Sequence, residues 1–100
     1  MPSFDFDWDP GKARSNAAKH GVLFEDAMTV LADSLALTVF DEHHSDDEER
    51  WITVGAAQSG RLLVVVHTFE ERGDQAYIRI ISARVATARE QRQYREGPSA

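Results

Sequence analysis

Apolar and polar residues alternate at the start of the chain. In FDFDW, residues 4–8, Phe4, Phe6 and Trp8 share one face and Asp5 and Asp7 the other. This period of two predicts a short half-buried strand. Asp9-Pro10 then supplies an N-cap and a proline for the first helical position. The predicted helix runs through GKARSNAAKH and stops at Gly21, a residue suited to a left-handed cap. Ala13, Ala17 and Ala18 give its packing side, while Lys12, Asn16, Lys19 and His20 lie broadly along another. A second helix is expected from Phe24 to Asp33. There Phe24, Ala27, Met28 and Leu31 recur with the helical period, and Glu25 and Asp26 suit the first turn.

After residue 34 the pattern changes to strands. LALTVF predicts one from Leu35 to Phe40, and RWITVGAAQ another from about Arg50 to Gln58, with an acidic loop between them. Ser59-Gly60 is a turn signal. RLLVVVHTF is apolar on both faces and therefore central, EERGD reads as a loop, and QAYIRIISA is the last strand. Thr87 and Glu90 form a capping box that opens a terminal helix, and GPSA is a frayed tail. The connections between residues 35 and 83 are short, so these strands should form an antiparallel meander covered on one face by the helices. The class is α+β, with one domain over residues 1–96 and a tail at 97–100.

Charge changes the picture. The chain is acidic, at a net −6. Asp41 to Arg50, DEHHSDDEER, has six acids and one arginine, so the other ninety residues are nearly neutral. A general nucleic-acid binder is disfavoured, since such domains are usually basic. Yet Arg79, Arg84, Arg89, Arg92 and Arg95 fall close together, so a local anion site is electrostatically possible. With no cysteine, neither a disulfide nor a thiolate metal site can form, which fits a cytoplasmic protein. The N-terminus has no signal-peptide character, and the longest apolar run, Leu62 to Val66, is too short to span a bilayer.

Four features can carry chemistry. Guanidinium groups bind phosphate in bidentate fashion, and Arg84 stands where a strand meets a helix N-terminus, a place that itself attracts anions. On the strand, Arg79 falls with Tyr77 and Ile81, and Arg84 with Ser82. Arg89, Arg92 and Arg95 read equally as a solvated helix face. His67 shares a face with Leu63, Val65 and Phe69. It is either a satisfied core histidine or a general acid or base. His43-His44 among the loop acids suggests a divalent metal, but the spacing matches neither a closed zinc site nor an EF-hand. Lys19 and His20 either complement the helix dipole or touch a phosphate.

Together, FDWDPGKARSNAAKHGVLFEDA, EERWITVG, RLLVVVHT and IRIISARVATAREQRQY resemble the BrnT toxins, in order and spacing, from about Phe4 to Tyr94. The resemblance implies a RelE-like fold, an antiparallel β-sheet with two N-terminal helices and one C-terminal helix. It implies metal-independent RNA cleavage with no cofactor. The implied partner is a BrnA-type antitoxin with a ribbon-helix-helix half, in a heterotetramer that alone binds operator DNA, with no membrane partner. Such cleavage needs a base, an acid and cations for the pentavalent phosphate. In that context Arg79 and Arg84 suit the phosphate, and His67 or Glu49 suits proton transfer. Lys19 and His20 complete the pocket, with Arg50, Arg89 and Tyr94 as substrate contacts, Tyr94 by base stacking. Two features depart from the family. Leu23 stands where a small capping residue is common. The acidic loop, including Asp46, Asp47 and Glu48, repels phosphate, which points to focused recognition or to a basic antitoxin segment docking there.

Overall fold

β1 (Ser3–Asp7) leads directly into α1 (Pro10–His20), α2 (Phe24–Val30), β2 (Leu37–Phe40), β3 (Trp51–Ala56), β4 (Leu62–His67), β5 (Glu70–Arg72), β6 (Gln75–Val85) and α3 (Ala88–Glu96). The computed structural model describes residues 3–44 and 48–97. Asp46, Asp47 and the last three residues of the expected tail lie outside the described residues.

β2, β3, β4 and β6 form the expected antiparallel meander, with β4 inside it. The sheet as a whole is mixed, which corrects the antiparallel expectation. β1 lies on the far side of β6 and runs parallel to it, from Ser3 opposite Gln75 to Asp7 opposite Arg79. The expected EERGD loop is also corrected. Glu70–Arg72 is a strand that pairs with β6 through a tight turn at Gly73.

The helix ends follow from their caps. The Asp9 carboxylate accepts from the Lys12 N–H at 2.9 Å, and Gly21 ends α1 at φ 66°. α2 has no side-chain cap at Leu23 and stops at Val30, three residues before the expected end. Asp33 explains the stop. Its carboxylate accepts from the N–H groups of Leu35 and Ala56, which ties the chain to the end of β3. Gly55 permits this approach, since a Cβ there would lie 3.0 Å from Ala36 Cβ and Val30 Cγ1.

The core lies between α1–α2 and one sheet face. Val22, Phe24, Ala27 and Val30 pack on Leu63, Val65, Ile78, Ile80 and Ala83, and Trp8 meets Phe24 edge to face. Removing the wholly buried Phe24 side chain would cost about 3–5 kcal/mol. Asn16 faces this core. Its amide nitrogen donates to Val22 O at 3.0 Å and Ala83 O at 2.8 Å, and its oxygen accepts from Ala83 N at 3.0 Å. β1 has ended by this point, so the carboxamide pairs the open edge of β6 as a neighbouring strand would.

A bulge in β6 controls which residues face which way. Val66 sits opposite Ser82, but His67 sits opposite Ile80, so Ile81 is the extra residue. Ala76, Ile78 and Ile80 face the core before it, and Ala83 after it. Arg79 and Arg84 therefore point to the same side, away from the α1–α2 core. A regular strand would have put them on opposite faces. Glu90 of α3 meets Arg84, while Tyr94 of the same helix reaches Asp33 just past α2.

Candidate active site

β1 ends and α1 begins beside the middle of β6, and two adjoining grooves open there. Asp7, Glu48 and Arg79 line both. The first, about 640 Å³, also takes in Glu49 and Thr68, and the second, about 380 Å³, Lys12, Arg50 and Ile81. Three cations and a nearby pair of glutamates thus meet around Arg79. The parallel register sets Asp7 against Arg79 across the strands, and Arg79 Nε donates to Asp7 Oδ1 at 3.4 Å. The side chains are 57% and 71% exposed, so this pair is weak and leaves Arg79 able to turn to an anion. Arg79 N donates to Thr68 Oγ1 at 3.1 Å, which fixes the backbone beneath it.

Arg79, Arg50 and Glu49, all expected from the sequence, are brought together here. The other expected residues are not. Arg84 Nη1 and Nη2 donate to Glu90 Oε1 and Oε2, each at 2.8 Å. Those bonds, opposed by partial burial and helped by the Thr87 N–H, hold the Glu90 carboxyl at about 2. Arg84 is thus committed to the capping box, and five residues of extended chain, about 16 Å, separate it from Arg79. His67 lies on the core face, 2% exposed. Its Nε2 is 2.7 Å from Thr53 Oγ1 and its Nδ1 2.9 Å from Thr68 O. With Nδ1–H donating, Nε2 accepts from Thr53, whose oxygen accepts in turn from Thr38. Burial lowers the His67 pKa, opposed by the Thr68 carbonyl, so the ring stays neutral.

Lys19 and His20 are exposed at the C-terminal end of α1, about 10 Å along the helix from Lys12. There they complement the dipole. Arg89 is exposed on α3, and Tyr94 donates its hydroxyl to Asp33 Oδ2 at 2.6 Å. Among the described residues, no three His, Asp or Glu side chains converge as metal ligands. None of their helices is long and apolar enough to cross a membrane.

Lys12, Asp7 and Thr68 were not singled out as site residues from the sequence, and Glu48 only as part of the acidic loop. Lys12 carried a usable signal, because it stands in the first turn after Asp9-Pro10, directly after the strand. Its link to Arg79 depends on the β1–β6 pairing.

The comparisons bear on the family and the fold. No curated relative matches the chain. It is similar in structure to the Brucella abortus ribonuclease toxin BrnT, with a TM-score of 0.55 and 24% identity over 85% of this chain and 97% of that one. At that identity the likeness speaks for the fold. A family model described as the ribonuclease toxin BrnT of type II toxin–antitoxin systems matches residues 8–90. With so much of its length matched, from Trp8 through β6 into α3, this chain belongs to the BrnT family of ribonuclease toxins.

Proposed function

We propose that the chain is a RelE-like endoribonuclease that cleaves RNA without a metal, at the grooves around Arg79. The observation that carries this is the meeting of Arg79, Arg50 and Lys12 with Glu49 on the open side of the sheet. Glu49 takes the 2′-hydroxyl proton, and the 2′-oxygen attacks phosphorus. Arg79 and Arg50 balance the charge that builds on the phosphate oxygens. The bond from phosphorus to the 5′-oxygen breaks, and that oxygen takes a proton from Lys12. The products are a 2′,3′-cyclic phosphate and a 5′-hydroxyl. Arg84, His67 and Tyr94 act through the fold, and Lys19, His20 and Arg89 at most attract RNA. The reading extends to one domain over residues 1–96, cytoplasmic work on translation, and a BrnA-type antitoxin in a heterotetramer that represses its own operon.

Cleavage of a labelled RNA in excess chelator tests this. Arg79→Ala should lower the rate about a hundredfold or more with the fold intact. Glu49→Gln should lower the rate about a hundredfold or more while RNA binding is retained. Activity lost on chelation would return attention to His43 and the loop acids. A non-catalytic partner-binding module is the second reading. It is favoured by the acids of the first groove, where Asp5, Asp7, Glu48, Glu49 and Glu70 outnumber Arg72 and Arg79. Soluble protein that leaves RNA intact and growth normal would establish it.

A further inference from the structure

α1 and α2 leave part of their sheet face open. There Phe4, Phe40 and Phe69 are 42%, 41% and 37% exposed. A cavity of about 390 Å³ opens among Phe4, Leu31, Trp51, Phe69 and Ile78, with Phe40 edge to face against Trp51 at 5.1 Å. Thr38 and His67 also reach it, but their polar atoms are engaged in the chain through Thr53. The Trp51 indole N–H differs, being buried with no acceptor among the described residues. A buried donor without a partner is unfavourable until an acceptor arrives. The surroundings are acidic. Glu70 and Glu71 follow Phe69, and the first groove, which shares Phe69 and Ile78 with the cavity, has five carboxylates against two guanidiniums.

We propose that this cavity anchors the antitoxin. An apolar side chain on a basic segment of the antitoxin enters it, and an oxygen of that segment accepts from the Trp51 N–H. Its Lys and Arg side chains then lie along the adjoining groove, over Glu49 and Arg79. Charge selects this occupant, since a second copy of the chain would set one acidic rim against another. The proposal rests on the toxin–antitoxin reading and adds how neutralisation works: the anchored segment covers the groove that RNA must enter.

The test uses the full chain and its purified cognate antitoxin. Phe4→Ser alters an exposed rim residue, and Trp51→Phe removes only the N–H and part of the ring. Binding is followed by calorimetry, and RNA cleavage by the free variants in parallel. Phe4→Ser should raise Kd about tenfold and Trp51→Phe severalfold, with cleavage by the free chain unchanged. The Trp51 indole proton resonance should move downfield on saturation with antitoxin, and affinity should fall as salt rises. Native affinity in both variants overturns the proposal. So does loss of self-association in Phe4→Ser with antitoxin affinity intact, which would assign the cavity to a second copy. No antitoxin binding by the native chain defeats the toxin–antitoxin reading itself, and this proposal with it. That outcome is distinct from native chain binding where both variants bind equally well.

Discussion

Replacing Asn16 by leucine keeps the side-chain size and removes every polar atom. Three buried hydrogen bonds vanish, those with Val22 O, Ala83 O and Ala83 N. Each backbone group left without a partner costs about 1–3 kcal/mol. The leucine returns about 1–2 kcal/mol by burying its methyl groups. The net loss should be about 3–5 kcal/mol, a large share of the roughly 5–15 kcal/mol that holds a domain of this kind. At about 4–8 °C per kcal/mol, the melting temperature should fall by about 12–40 °C. Urea unfolding followed by tryptophan fluorescence measures the change, and the midpoint should move with an unchanged slope. A loss under about 1 kcal/mol would refute the claim that this carboxamide completes the edge of β6, because water would then serve the same groups equally well.

Arg84→Ala should lower stability by about 1 kcal/mol and leave RNA cleavage near native, because the Arg84 side chain is 42% exposed and solvent screens the pair. Its partner titrates in a separate window. Glu90 sits at about 2 in the fold against an ordinary 4.5. Its contribution is complete above pH 4.5 and lost as pH falls toward 2, and Glu90→Gln should flatten that part of an acid-unfolding curve. His67 is lowered by burial from 6.5. The unfolded chain therefore takes up its proton first, so stability should decline as pH drops below 6.5. His67→Gln should remove that slope, and the ring proton shifts should titrate with a midpoint below the ordinary 6.5. Tyr94→Phe should cost about 1 kcal/mol by freeing Asp33, with native cleavage, and thermal unfolding checks it.

Locally encoded features were legible in the sequence. Asp9-Pro10 and Gly21 bound α1, Thr87 and Glu90 open α3 with both reciprocal bonds of the box, and RLLVVVHTF is an inner strand. Each rests on residues within a few positions of one another. What depends on distant pairing was not legible. The alternation in FDFDW marks a strand but carries no information about its direction or neighbour, so the parallel join to β6 stayed hidden. Ile81 has no glycine to mark its bulge, and one inserted residue reversed the relation between Arg79 and Arg84. The candidate site was half visible for the same reason. Arg79, Glu49 and Arg50 stood out by charge, whereas Lys12 and Asp7 matter only once β1 lies against β6. At Arg84 the strand–helix junction does suit an anion, and Glu90 supplies one from within the chain.

The join between β1 and β6 also bears on how the protein is made. Ser3 and Asp7 pair with Gln75 and Arg79, more than seventy positions later. A ribosome therefore releases Lys12 and Asp7 early and must synthesise most of the remaining chain before Arg79 can meet them. The meander of β2, β3 and β4 can close hairpin by hairpin in the meantime, since its contacts are local, and the distant pairing comes late and slowly. An unfinished chain thus has no assembled site while it is still attached to the machinery that translates RNA. In the function proposed above, activity would begin only when the last strand slides into place, which would give a freshly made antitoxin an interval in which to be ready.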